Sequence, residues 1–174
     1  PGYLAMFHNA LWVTLATGSA MTPFWWAHSG MLNDLILTAR IKSIRKFTDM
    51  IPFARLTDIQ PAEIKCLRAD AYAMKSSEIV FGWIVNSDSD VAGEKITIFS
   101  LKNGRYKLKI YHTWRGTFLK EEDLTCTDGK LTFGPPYMRI TGGHANYIGQ
   151  DLAFILEYLP ESVTLPVLNK KSRK

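Results

Sequence analysis

Cysteine is nearly absent: Cys66 and Cys126 are the only two in 174 residues. That number excludes a disulfide framework and a cysteine-based metal site. A single bridge and two buried free thiols both remain open. Glutamate is missing from the first 62 residues, whose only acids are Asp34, Asp49 and Asp58. Glycosidase-type acid–base chemistry needs two carboxylates flanking a substrate, about 5 Å apart or more. The later acids Asp88, Asp90, Glu121, Glu122, Asp123 and Asp128 fall mostly in turn-like stretches where charge is solvated, so no catalytic pair is visible. No apolar run reaches membrane-spanning length. Leu11 to Ala16 is interrupted by Thr14 and followed by Thr17-Gly18-Ser19. No signal peptide is visible. Metal-binding helices with paired histidines, phosphate loops and Gly-flanked nucleophilic serines are also missing. No metal and no cofactor is therefore expected.

What is present is ordinary globular composition, 47% hydrophobic and 21% charged. The net charge of +5 invites a nucleic-acid reading, but four of the 21 basic residues crowd into Lys170 to Lys174 and the rest are scattered. That pattern fits a solvated face and a basic tail, so neither nucleic acid nor membrane is expected as a partner.

Tyr3 to Ala16 reads as a helix, with Leu4, Phe7, Leu11 and Leu15 on one face and apolar or small residues on the others. A helix greasy all round is a buried one. Gly18 supplies a stop. Ser19 to Trp26 reads as a buried strand, His28 to Gly30 as loop, and Met31 to Phe47 as a second helix with Asp34 in its first turn. From Ile64 the period changes to two. Expected strands are Ile64 to Tyr72, Glu78 to Val85 (apolar on both faces, hence central), Lys95 to Leu101, Tyr106 to His112, Phe118 to Lys120, Leu124 to Thr127, Lys130 to Phe133 and Asp151 to Leu159. Asn103-Gly104 reads as a two-residue hairpin turn, and Asp128-Gly129 joins two further strands. The expected fold is α+β: an N-terminal helix–strand–helix piece followed by an antiparallel β-sandwich. Its expected segments are 1–62, 63–160 and a basic tail 161–174. The first segment is too apolar to satisfy itself and needs a further layer.

Two adjacent tryptophans at a strand end, Trp25-Trp26, followed by His28, stand out. Neighbours on a strand face opposite ways, and an indole face can support a sugar ring. Filling a core is the plainer role. His8 and His112 read as core residues, and Gly142-Gly143-His144 as a turn. Tyr111, Trp114 and Tyr137 are the aromatics that a carbohydrate-binding sandwich would display.

His8-Asn9-Ala10-Leu11-Trp12, Thr17-Gly18-Ser19-Ala20 and Pro23-Phe24-Trp25-Trp26 together resemble the end of a (β/α)8-barrel glycoside hydrolase of the cellulase- and mannanase-like type. Tyr111-His112-Thr113-Trp114-Arg115-Gly116, Asp128-Gly129-Lys130-Leu131, Pro135-Pro136 and Asp151-Leu152-Ala153-Phe154 resemble the β-sandwich appended to such barrels, sometimes labelled collagen-binding. The resemblance runs from about Phe7 to Tyr158. It implies that residues 1–62 are the last unit of a TIM barrel. It also implies that Trp25, Trp26 and His28 contact carbohydrate, and that both catalytic glutamates lie before Pro1. The implied partner is the N-terminal barrel portion of the same protein, and the implied location secreted or periplasmic. On this expectation the chain is a C-terminal fragment with no hydrolytic activity of its own. A carbohydrate-binding or purely structural sandwich is the alternative.

Overall fold

The computed structural model describes residues 3–19, 34–138 and 150–160. Two helices lie on an antiparallel sandwich, the α+β arrangement expected. Helix α1 spans Tyr3–Ala16 and α2 spans Leu35–Thr48. A short 3-10 turn, Phe53–Arg55, leads into the strands. In chain order these are β1 Gln60–Pro61, β2 Ile64–Lys65, β3 Asp70–Lys75, β4 Ile79–Val85, β5 Ile96–Ile98, β6 Gly104–His112, β7 Thr117–Cys126, β8 Leu131–Phe133 and β9 Asp151–Leu159. The large sheet has the order β1-β3-β4-β9-β6-β7, the small one β2-β5-β8, and all pairings are antiparallel. The strand expected at Ser19–Trp26 falls almost wholly outside the described residues.

Three layers follow from where apolar side chains point. The inner faces of both sheets enclose Val80, Ile84, Ile96, Ile98, Leu108, Ile110, Leu131, Phe133, Leu152, Phe154 and Leu156. The outer face of the large sheet offers Phe81, Trp83, Tyr111, Ala153 and Ile155 to Trp12 and Ala16 of α1 and Phe47 of α2. Strands β4 and β9 are therefore apolar on both faces, as Glu78 to Val85 predicts. At their crossing Gly82 leaves no room: a Cβ there would lie 2.6 Å from the Phe154 ring and 2.7 Å from the Tyr72 carbonyl oxygen. Gly82→Ala is expected to cost about 1–3 kcal/mol by overpacking, read as a lower urea midpoint.

Local chemistry sets several boundaries. Asp34 lies one residue before α2 as its N-cap, its carboxylate accepting from the backbone N–H groups of Ile36 and Leu37. The expected strand Ile64 to Tyr72 is broken in two. Glu94, its side chain fully buried, accepts from the backbone N–H groups of Leu67 and Arg68 and from Arg68 Nε, which turns the chain between β2 and β3. Asn103-Gly104 is not a hairpin turn, because β5 pairs with β2 and β8 and the chain crosses to the other sheet. The join expected at Asp128-Gly129 is a tight turn, with positive φ at Asp128 (52°) and Gly129 (69°), closed by Thr127 and Lys130. Phe118 to Lys120 and Leu124 to Thr127 merge into the one long strand β7. Both cysteines are free, Cys126 buried and Cys66 half-buried. Burial pushes the Cys66 thiol up to about 11, which makes it a poor nucleophile.

Candidate functional site

Asp151 opens a strand whose next five residues are all apolar, and its side chain is 1% exposed. A carboxylate placed there must be paired or hydrogen-bonded. It is both. Oδ2 accepts from Nε2 of His8 at 2.9 Å and from Nε1 of Trp83 at 2.7 Å, and Oδ1 accepts from Nε1 of Trp114 at 2.7 Å. Four separate elements thereby meet: α1 through His8, β4 through Trp83, the turn after β6 through Trp114, and β9 itself. Trp83 is placed by register, since Trp83 pairs with Ala153 and Val85 with Asp151 on neighbouring strands.

The rings reinforce the bonds. His8 stacks on Trp114 with centroids 3.9 Å apart and planes 15° from parallel. The Arg40 guanidinium, from α2, lies 5.0 Å from the Trp114 ring centroid. Around them Tyr111 donates to the Ser43 carbonyl at 2.8 Å, and Ser43 Oγ donates to the Thr113 carbonyl. A Cβ added to Gly116, at φ 68°, would lie 3.4 Å from Ser43 Oγ and 3.5 Å from Ser43 Cα, so the turn after β6 lies close against α2.

Electrostatics follow from burial. Burial alone would raise the Asp151 carboxyl. The charge of His8 and the hydrogen bonds from His8 and Trp83 outweigh it and hold Asp151 below the usual carboxylate range. Burial lowers the Arg40 guanidinium, and Asp151 opposes that shift. His112, 2% exposed, is pushed down to about 4 by burial first and then by Arg115, with Asp151 opposing. Neither of its ring nitrogens hydrogen-bonds a described residue.

This carboxylate is sealed from solvent, so it cannot meet a substrate. Among the described residues no group of His, Cys, Asp and Glu could hold a metal ion. No described helix is long and apolar enough to cross a membrane. Trp25, Trp26 and His28 lie outside the described residues. Of the aromatics suited to a sugar-binding row, Trp114 (5% exposed) and Tyr111 (1%) are buried in this junction, and Tyr137 (78%) is exposed. His8 is a core histidine as expected, with a partner. Asp151 was not distinguishable as a centre from spacing, although an acid at the head of Leu152-Ala153-Phe154-Ile155-Leu156 is a signal in itself.

Among solved structures, one similar chain is titled "Glycoside hydrolase". The match has a TM-score of 0.46 and 14% sequence identity, and covers 85% of this chain and 32% of that one. This chain thus spans about a third of that protein's length. No protein-family model and no curated protein sequence matches.

Proposed function

We propose that the chain is the C-terminal portion of a glycoside hydrolase acting on a polysaccharide or oligosaccharide. In this reading α1 and α2 are the closing helices of a (β/α)8 barrel, and the sandwich is an accessory unit clamped to them. One observation carries the reading. The segments that resemble such an enzyme, His8 to Trp12, Tyr111 to Gly116 and Asp151 to Phe154, are far apart in sequence yet supply the contacts of one junction. A sandwich tied to the helices through β4, the turn after β6 and β9 is suited to fixing the end of a barrel rather than swinging from it. The helices also keep apolar surface that the sandwich does not cover. Leu35 is 84% exposed and Met6 51%. A groove of about 300 Å³ between the helices is lined by Leu11, Thr14, Leu15, Ile41, Ile44 and Arg45, among others. A further layer of the same protein would cover such surface.

The catalytic carboxylates then belong to the preceding part of the protein. In this reading Trp25, Trp26 and His28 are the substrate-binding residues, one of the two tryptophans forming the sugar platform. A purely structural sandwich agrees with this reading. A free carbohydrate-binding module is disfavoured because Tyr111 and Trp114 face the helices. The test compares the 174-residue chain with a longer polypeptide extended at its N-terminus. The longer protein is expected to release reducing sugar and this chain to release none. Sugar release by the purified short chain would overturn the proposal. In the longer protein, Trp25→Ala and Trp26→Ala are each made, and the one at the platform should lower kcat/KM about tenfold, the value of a stacking contact of about 1.4 kcal/mol.

A further inference from the structure

Strands β6 and β7 are joined by a four-residue tip, residues 113–116, since His112 pairs with Thr117. The backbone is irregular on both sides of it. A β-bulge interrupts the ladder between Ile110 and Tyr111, and Gly116 takes φ 68°. The tip is held against the helices and Asp151. Trp114 donates to Asp151, stacks on His8 and has the Arg40 guanidinium 5.0 Å from its ring centroid, and the Thr113 carbonyl accepts from Ser43 Oγ. His112 lies between the bulge and the tip, 2% exposed, with neither ring nitrogen bonded to a described residue. The charged and titratable groups that act on it come from four elements: Arg115 from the tip, Arg40 from α2, His8 from α1 and Asp151 from β9. Two permanent cations and a second imidazole thus stand against one carboxylate. That carboxylate is already engaged, Oδ2 by His8 and Trp83 and Oδ1 by Trp114. An imidazolium has two N–H donors and needs an acceptor for each. No described group accepts from either nitrogen of His112. A protonated ring is therefore stable only where water can reach it.

We propose that the β6–β7 tip is an acid-released strap: when His112 takes up a proton, residues 113–116 swing off α2 and the junction loses its Trp114 contacts while both sheets keep their pairing. The bulge and Gly116 give the tip its hinges, and the ladder of β6 with β9 ends at Tyr111, before the moving part. Asp151 is held below the usual carboxylate range, so it stays charged while the strap opens. Burial sets the size of the effect. It lowers the closed His112 ring from 6.5 to about 4, so the closed tip is favoured above 6.5 and loses that advantage as pH falls towards 4. By linkage the opening constant should rise about fifty-fold between pH 7 and about pH 4.5. The strap is a property of the junction and does not depend on the hydrolase reading.

The test follows amide exchange by NMR in the 174-residue chain at pH 7 and about pH 4.5, corrected for the intrinsic pH dependence of exchange. The probe is the Gly116 N–H, which donates to the His112 carbonyl at 2.8 Å. The reference is the set of amides in central strand β4, which open only when the sheet does. Gly116 is expected to exchange faster than β4 at both pH values and to be insensitive to about 1 M urea, because a local opening exposes little surface. Its protection should fall about fifty-fold in acid. His112→Gln, which takes no proton, should remove that acid loss, and unchanged β4 protection at pH 7 certifies the variant's fold. The proposal is overturned if Gly116 exchanges no faster than β4, since the tip then opens only by global unfolding. It is equally overturned if acid changes Gly116 protection by less than about threefold, or if His112→Gln keeps the acid loss. The first two outcomes use the parent chain alone and decide the matter even if the variant fails to fold. No sugar release enters this readout, so its failure leaves the hydrolase reading standing.

Discussion

Replacing Asp151 by Ala is expected to destabilise the protein by about 3–5 kcal/mol, the penalty of breaking a buried charged network by removing one partner. The deletion strands three donors in a dry site, Nε2 of His8 and Nε1 of Trp83 and Trp114, each of which keeps its desolvation cost without its acceptor. It also removes the negative charge that offsets part of the burial cost of the Arg40 guanidinium. Asp151→Asn retains the shape but sets an amide N–H against those donors, so it should recover little. Equilibrium urea unfolding measures the loss. Amide exchange locates it: protection in α1 should fall further than in β4, whose ladder with β9 remains. A loss below about 1 kcal/mol would show that the carboxylate is a passenger in the core.

Acidification from pH 7 to pH 4 should cost about 3 kcal/mol through His112 alone. Its folded-state pKa, about 4, lies below the ordinary 6.5 because burial opposes the charged ring. The unfolded chain therefore takes up a proton between 6.5 and about 4 that the native protein refuses, and stability falls through that window. At 1.36 kcal/mol per unit, the gap between those values has the stated size. Asp151 acts in the same direction lower down. Its folded pKa is depressed, so its contribution is present above the unfolded value and lost as pH falls through the folded one. His112→Gln removes the upper window. The slope of unfolding free energy between pH 6.5 and 4 should flatten even if the variant is weaker at pH 7. An unaltered slope would assign the acid lability to other groups.

Features decided by local pattern were legible in the sequence. Tyr3–Ala16 and Asp151–Leu159 are expected with the bounds they have, because a helix greasy on every side and a strand built on the apolar run of residues 152–156 are strong local patterns. The central position of β4 followed from apolar residues on both its faces. Features decided by distant contacts were not legible. Asn103-Gly104 has the residues of a tight turn, but β5 finds its partners in the other sheet, and Asn103 Oδ1 accepts from Gly129 N instead. The break after β2 depends on Glu94, 26 positions beyond Arg68. The His8–Asp151 bond joins residues 143 positions apart. Periodicity carries no information over such a range, and the individual segments gave no hint that one aspartate would unite them.

The position of β9 has a consequence for how the protein is made. It is the last described strand to be synthesised, yet it lies between β4 and β6, and its first residue is the aspartate that secures α1. Until it emerges from the ribosome, the β3–β4 and β6–β7 hairpins each present an unpaired edge. The helices meanwhile have only part of their platform. Closure of this sheet therefore waits until β9 has been made and has high contact order, slow by nature and exposed to aggregation while it waits. A message truncated before the codon for Asp151 would yield two open-edged hairpins with no strand between them, a product for quality-control proteases.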